Sequence, residues 1–365
     1  MNVALVNLPG EDVAGGCEVV VAHTTQLLRA ARHTVTVYDH RHPDAAFAAA
    51  AMQADEAATR HVLAAALART APDVIHIHNL GSRLILEDLI ATGRAVRTLH
   101  DVGGACPTGK LLRPDGTVCP AQCCHAACAL WRQPRRWLRW QRQRERNRQL
   151  PLIVPSEFMR QAYARAGYDL TRITVIPHCF PGAEINVPTP QRPLALFVGR
   201  LQPEKGLDDF LALLPLLPAG AQLAVCGNGD LAGRVRELAA AHPAQLTWDS
   251  GKNGVTRDRL LRACCCLVMP SHQPESFGLV GFLAATYARP TVAYDVGAVG
   301  EWLDGDDLIP AGNRTAFHGR VRHYLDDPAA AGQAGLARQQ RYITRFPTDR
   351  YLDQLLAAYA QVARP

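Results

Sequence analysis

Apolar residues along this chain fall in short continuous runs separated by longer stretches of helical periodicity. Met1–Leu8 reads as a strand followed by a Pro-Gly and Gly-Gly loop, and a helical pattern runs from about Glu18 to Arg32. HTVTVYDH, with β-branched residues in alternation, reads as the second strand, and the Ala-rich stretch from Asp44 to Arg69 as one helix. DVIHIH is a buried-type strand, RLILEDLIAT a helix and AVRTLH another strand, and LIVP, a helix from Ser156 and ITVIP continue the alternation. NVPTPQRP (186–193) holds three prolines and little apolar content, so it reads as a linker. Beyond it LALFVG, QLAVCG, QLTW, CCLVMP and PTVAY predict five more strands, and amphipathic helices close the chain from about Asp326 to Ala363. Strands alternating with helices imply parallel sheets covered on both faces. The expected architecture is α/β, with two Rossmann-like domains facing a central cleft. An N-terminal domain spans 1–185 and carries a Cys-rich loop at 103–128, and a second domain spans 194–345. A closing helix in 346–365 has the N-terminal domain as its candidate partner.

Composition narrows this reading. A length of 365 residues suits two domains, and 48% hydrophobic against 20% charged residues excludes a disordered chain. No run of about 18 uncharged apolar residues occurs, which excludes a transmembrane helix. The N-terminus has no basic region before its apolar residues, so no secretory signal is expected and a cytoplasmic location is. The net charge of +6 is modest but uneven, because Arg132–Arg148 holds eight Arg and one acid, Glu145. One reading of Trp131–Arg148 is contact with an anionic acceptor, a lipid phosphate or a membrane surface. The favoured one is an ordinary first-domain helix, with Trp137, Leu138 and Trp140 inward and the arginines in water. Apolar residues fade after Trp140, so membrane contact is peripheral at most. No recognition motif accompanies the charge, and no nucleic-acid readout is expected.

Ligands of open α/β sheets bind beyond the carboxyl ends of the strands. LALFVG ends at Gly199 and is followed by Arg200-Leu201-Gln202-Pro203-Glu204-Lys205-Gly206, two cations approaching a helix start where an anion is favoured. The plain alternative is two solvated surface cations. Gly227-Asn228-Gly229 after QLAVC is a weak glycine-turn signal. Glu275, in Ser271–Val280 after CCLVMP, reads by itself as a helix-start carboxylate, and His100, at the end of AVRTLH, as a core or loop histidine.

The order of these blocks changes the weighing. VGRLQPEKG, GNG, a strand ending in Pro-Ser, PESFGLV and RPTVAYDVGAVGE follow one another as in the second domain of glycosyltransferase family 4, which the chain resembles. Gly15-Gly16, DVIHIH, TLHD, VPSEF and VIP extend the resemblance through the first half. It implies a GT-B fold and a retaining enzyme that uses a nucleotide sugar, UDP- or GDP-linked, and needs no metal for catalysis. It further implies that Arg200 and Lys205 hold the donor diphosphate and that Glu275 contacts the donor sugar. The backbone of Gly278, Leu279 and Val280 would cap the phosphates, with Gly199, Gly227 and Asn228 also at the donor. His100 would face the sugar from the first domain, where Gly15 and Gly16 let the backbone approach. One position departs from the family. Eight residues after the first Glu a second one usually binds the ribose, and here that place holds Leu283, in a single helix expected over Gly278–Tyr287. Leu accepts no hydrogen bond. This leaves two alternatives to a transferase: a GT-B protein that binds a ligand or partner without turnover, and a sugar-nucleotide epimerase.

Cysteines add a separate question. Cys106, Cys119, Cys123, Cys124 and Cys128 fall in the loop after His100-Asp101, with His125 beside them, at spacings that suit a structural zinc or an iron–sulfur cluster. Reduced thiols or a disulfide are the alternative. Cys264-Cys265-Cys266 lie in an apolar strand and are expected in the core.

Overall fold

The computed structural model describes residues 1–8, 15–52, 55–113, 116–119, 134–184, 188–190, 192–251 and 254–363. The chain forms two compact units. The first is Met1–Leu111, Pro120–His178 and Thr348–Pro365, and the second is Leu112–Cys119 and Cys179–Pro347.

In the first unit six parallel strands lie in the order β2-β1-β3-β4-β5-β6. They are β1 (Asn2–Leu8), β2 (Thr34–Tyr38), β3 (Val74–Leu80), β4 (Ala95–Thr98), β5 (Leu152–Val154) and β6 (Ile173–Val175). The six runs read from the sequence are these six strands. Central strands of a parallel sheet are covered on both faces, which is why they read as unbroken apolar runs. Helix α1 (Gly16–Ala30) follows β1. The Ala-rich stretch is two helices rather than one, α2 (Ala45–Met52) and α3 (Glu56–Thr70). Asp55 caps the second, its carboxylate accepting the Ala58 N–H at 3.0 Å. A short acidic side chain favours a cap over a helix interior, and that preference breaks the alanine run.

The arginine-rich segment contains α5 (Pro134–Asn147), which follows α4 (Arg83–Ala91) among the described helices. Trp140 and Asn147 are buried and Arg144 lies over the Trp140 ring, whereas Leu138 is 46% exposed. The expectation that Leu138 packs inward is therefore corrected. Positions 140, 144 and 147 share one helix face, and Leu138 stands away from it. Arg146 pairs with Glu87, and Arg144 and Arg148 with Glu145, so part of the excess charge is met within the unit. The last described helix, Thr348–Ala360, belongs to this unit. Its Tyr351 and Tyr359 hydroxyls meet Thr24 Oγ1 at 2.9 Å and His76 Nδ1 at 2.7 Å.

The second unit has six parallel strands in the order β12-β11-β10-β7-β8-β9. They are β7 (Leu194–Val198), β8 (Gln222–Cys226), β9 (Leu246–Asp249), β10 (Cys266–Met269), β11 (Thr291–Tyr294) and β12 (Leu308–Ile309). Two residues are too few to show as a pattern, and β12 was not predicted. Cys264, Cys265 and Cys266 are fully buried in this core, as expected. Among the described residues no helix is long and apolar enough to cross a membrane.

Just before β12, Asp307 is 2% exposed and accepts from Arg320 Nε at 2.6 Å, Arg338 Nη2 at 2.8 Å and the Tyr324 hydroxyl at 2.9 Å. Removing one partner of such a group leaves the others buried without a counter-charge. Asp307→Ala is expected to destabilise the second unit by about 3–5 kcal/mol, read from urea melts followed by tryptophan fluorescence. A loss under about 1 kcal/mol would show that Arg320 and Arg338 find other acceptors.

Candidate functional site

In the second unit the predicted residues gather at the carboxyl edge of the sheet. Three backbone contacts hold the loops there. Gly199 N–H donates to the Cys226 carbonyl at 3.1 Å and Leu201 N–H to the Asn228 carbonyl at 2.8 Å. Gly206 has φ +70°, and a Cβ there would lie 1.7 Å from the Pro270 carbonyl oxygen. Only glycine fits a left-handed backbone pressed on another chain segment. Across that contact the Glu204 carbonyl accepts from His272 N–H at 2.9 Å and Gln273 N–H at 3.2 Å. The loops after β7 and β10 are thereby locked together.

Locking brings two of the predicted residues into contact. Lys205 Nζ donates to Glu275 Oε1 at 2.8 Å, with the two side chains 18% and 14% exposed. Glu275 is itself fixed by a backbone bridge to Gly297, and its carbonyl accepts the Ala298 N–H at 2.9 Å. Arg200 is exposed at the mouth of the same loop and Asn228 is exposed beside it. The set offers cations for an anion and a carboxylate for hydroxyl groups, within one unit.

Helix α6 spans Leu279–Ala284 and continues as a 3-10 turn over Ala285–Tyr287, so the single expected helix tightens after one and a half turns. Gly278 is its N-cap, at φ +83°. Leu279, Val280 and Leu283 are half-buried and pack against the core of the unit. Leu283 thus makes an apolar contact in the place where the family pattern has a carboxylate. Sequence reasoning missed Asp209, which is 2% exposed. It accepts from Tyr294 at 2.7 Å and pairs with Arg314, and it lies 3.5 Å from His272 in the loop that carries Glu275. An acidic residue inside the apolar run LDDFLALL was its only signal.

The first unit holds His100 just past the end of β4. Its Nε2 meets His78 Nδ1 at 2.9 Å, and its ring stacks at 6.4 Å on that of His178. The following loop is pinned by aromatic groups. Tyr163 donates to the Asp101 carbonyl at 3.0 Å, and Trp140 Nε1 and Tyr168 both donate to the Gly104 carbonyl. Burial, reinforced by neighbouring histidines, pushes His78 and His100 well below the ordinary imidazole range. Burial likewise takes His76 down to about 3 and His178 to about 4. These rings are neutral at pH 7. Gly15 and Gly16 open α1, and both are exposed.

Of the cysteine loop, Cys106 is buried with its sulfur 3.2 Å from Thr108 Oγ1, and Cys119 is half-buried. Cys123, Cys124 and Cys128 lie outside the described residues, as does His125. Among the described residues, the group able to hold a metal through three side chains is Cys17, His78 and His100. No part of it was predicted as a ligand set. The signal was a pair of histidines two apart in a buried strand, with a cysteine directly after Gly15-Gly16.

Comparison with known proteins matches both halves. Residues 14–181 match the model of Glycosyltransferase Family 4, and 184–346 that of Glycosyl transferases group 1. The glycogen synthase of Paramagnetospirillum magneticum is 35% identical over 146 residues, covering 39% of this chain and 28% of that protein. The α-maltose-1-phosphate synthase of Mycobacterium tuberculosis is 30% identical over 197 residues, covering 49% of this chain and 50% of that one. The matched stretch thus spans at most half the length of these curated relatives. Among solved structures, sucrose-phosphate synthase from Thermosynechococcus elongatus superposes with a TM-score of 0.71 at 20% identity, covering 99% and 98% of the two chains. HepE from Anabaena, in complex with UDP-glucose, superposes with a TM-score of 0.65 at 16% identity, covering 99% of each. These two share the GT-B architecture, two units each built on a parallel sheet. With its halves matched in order and its sheets of that architecture, the chain belongs to glycosyltransferase family 4.

Proposed function

We propose that the protein is a retaining glycosyltransferase that moves a sugar from a UDP- or GDP-sugar to an acceptor hydroxyl. The observation that carries this reading is the 2.8 Å contact between Lys205 and Glu275, which joins the two signature loops of the family at one sheet edge. Breaking the sugar–phosphate bond builds negative charge on the leaving diphosphate. Arg200 and Lys205 are the groups proposed to meet that charge, and Glu275 the one to bind hydroxyls of the donor sugar. The N–H groups of Leu279 and Val280 are proposed to add donors to the phosphates. His100, as a neutral imidazole, is proposed to contact the sugar from the first unit. The Anabaena neighbour is described with UDP-glucose, which favours the uridine nucleotide. Relatives named as synthases favour transfer over an epimerase or a protein that binds without turnover.

Arg200→Ala and Lys205→Ala should each weaken UDP binding roughly ten- to hundredfold, the value of one charge-assisted contact of about 1.5–3 kcal/mol. Glu275→Gln, which frees Lys205 from its ion pair, should bind UDP at least as tightly as wild type and lower transfer from a panel of UDP- and GDP-sugars. Calorimetry and product assays decide the matter, and unchanged UDP affinity in both alanine variants would remove the assigned diphosphate site.

Leu283→Glu should tighten UDP binding by up to about tenfold. The gain of a hydrogen bond to a charged acceptor is reduced by the cost of placing a carboxylate at a half-buried position. A folded variant, checked by thermal melt, that binds UDP no better would show that residue 283 does not reach the ribose.

A further inference from the structure

We infer that the first unit contains a binding site for a divalent transition-metal ion of zinc-like chemistry, formed by Cys17, His78 and His100. Each residue offers one ligating atom, and the three atoms lie within 4.8 Å of one another. Ligand atoms around a tetrahedral zinc, bound at about 2.0–2.3 Å, sit about 3.3–3.8 Å apart. Small side-chain adjustments therefore close the group on an ion, with the fourth position left to water.

Three features make this more than a chance meeting of side chains. The first is a contrast between two histidines on the same face of β3. His76 is fully used, Nδ1 by the Tyr359 hydroxyl and Nε2 by Thr98 Oγ1, both at 2.7 Å. His78 is 2% exposed, and its Nε2 has no hydrogen-bond partner among the described residues. A buried ring nitrogen left unpaired is costly, so the strand carries an imidazole whose hydrogen-bonding capacity the described protein groups do not consume.

The second feature is the ligand chemistry. One sulfur and two imidazole nitrogens suit zinc and its neighbours in the transition series, whereas the absence of carboxylates from the trio disfavours calcium and magnesium. His78 Nδ1 and His100 Nε2 share a hydrogen bond at 2.9 Å, so for both rings to ligate, that bond opens and its proton moves to the other nitrogen of the donor ring, which frees a lone pair on each. On binding, a metal–sulfur bond forms, the Cys17 S–H bond breaks and the proton passes to solvent.

A neighbouring amide supplies the third. Cys17 donates to Asn7 Oδ1 at 3.5 Å, and Asn7 is 1% exposed. Once the thiol is a thiolate, rotation of that amide presents its NH₂ group to the sulfur. As it stands the amide oxygen faces the thiol, so outer support for a thiolate requires that flip of Asn7. The site differs from the cysteine loop, with which it shares no residue.

An ion there occupies a nitrogen of His100. Resting on the transferase reading above, occupancy inhibits transfer, because the imidazole that contacts the donor sugar is taken by the metal. Binding itself is independent of that reading and is measured with metal alone.

The experiment titrates full-length protein with Zn²⁺ by calorimetry and with Co²⁺ by absorption, for wild type, Cys17→Ser and Cys17→Ala. Thermal melts confirm that the variants fold. Wild type is expected to bind one equivalent more than either variant, or to bind that equivalent at least tenfold more tightly. It should also show extra thiolate-to-cobalt charge-transfer absorption. The comparison subtracts any ion held by the cysteine loop. A variant-free arm maps zinc by anomalous diffraction in crystals of the wild type, where a peak among Cys17, His78 and His100 is expected. Equal stoichiometry and affinity in all three proteins, or an empty site in the anomalous map of zinc-soaked crystals, overturns the inference. If binding is found and Zn²⁺ leaves transfer unchanged, the metal site stands and the role given to His100 falls.

Discussion

The second unit depends on how closely two pieces of backbone approach at the carboxyl edge of its sheet. Gly206 lies against the Pro270 carbonyl, and Gly227 lies so close to Gly199 that a Cβ would fall 1.8 Å from its carbonyl oxygen. No side chain fits at either point. Because the loops cannot separate, Lys205 and Glu275, seventy positions apart in sequence, are held at hydrogen-bond distance. Charged side chains on separate flexible loops lose conformational entropy when they pair, and here the backbone contacts have already removed that freedom.

Much of this was legible in the sequence for a specific reason. Buried parallel strands are continuous apolar runs, and eleven of the twelve strands among the described residues are long enough to show it. The exception, Leu308–Ile309, is specified by its surroundings, above all by Asp307 and the two arginines that close on it. Likewise the break at Asp55 depends on one side-chain cap, which the alanines around it conceal. Leu138 was misplaced because hydrophobicity was read without the helical angle that separates it from Trp140.

Site residues were legible to a different degree. The blocks around Arg200 and Glu275 stand out as local patterns, yet nothing local says that Lys205 and Glu275 touch. The meeting of His78 with His100 is equally non-local. It follows from the order β3-β4, in which the register of His76 with Val96 carries the end of one strand beside the end of the next. Alternation in DVIHIH places two histidines on one face, but only the packed structure shows that one is saturated and the other is not. Sequence patterns report which side chains share a face, and cross-strand neighbours decide what chemistry that face can perform.

The two units also differ in their electrostatic character, and the difference bears on the proposed reaction. At the edge of the second sheet, Arg200 and Lys205 carry two positive charges and Glu275 one negative among the three assigned residues. With Lys205 held by Glu275, the exposed Arg200 is the less compensated of the two cations and would be the first contact in the proposed binding of a diphosphate. In the proposed reaction an arriving anion would compete with Glu275 for Lys205. Displacement of that bond does not leave the carboxylate buried and unmatched if sugar hydroxyls reach it at the same moment. The phosphate and the sugar then reinforce one another. In the proposed reaction a nucleotide without a sugar would take Lys205 and strand Glu275, whereas the complete donor would satisfy both. On the proposed donor site, the ion pair would thus favour an intact nucleotide sugar over the spent nucleotide. The His78–His100 pair offers no comparable exchange of charge, because burial keeps both rings neutral. Its neutral nitrogens can hydrogen-bond a sugar hydroxyl or hold a metal ion without first giving up an ion-pair partner.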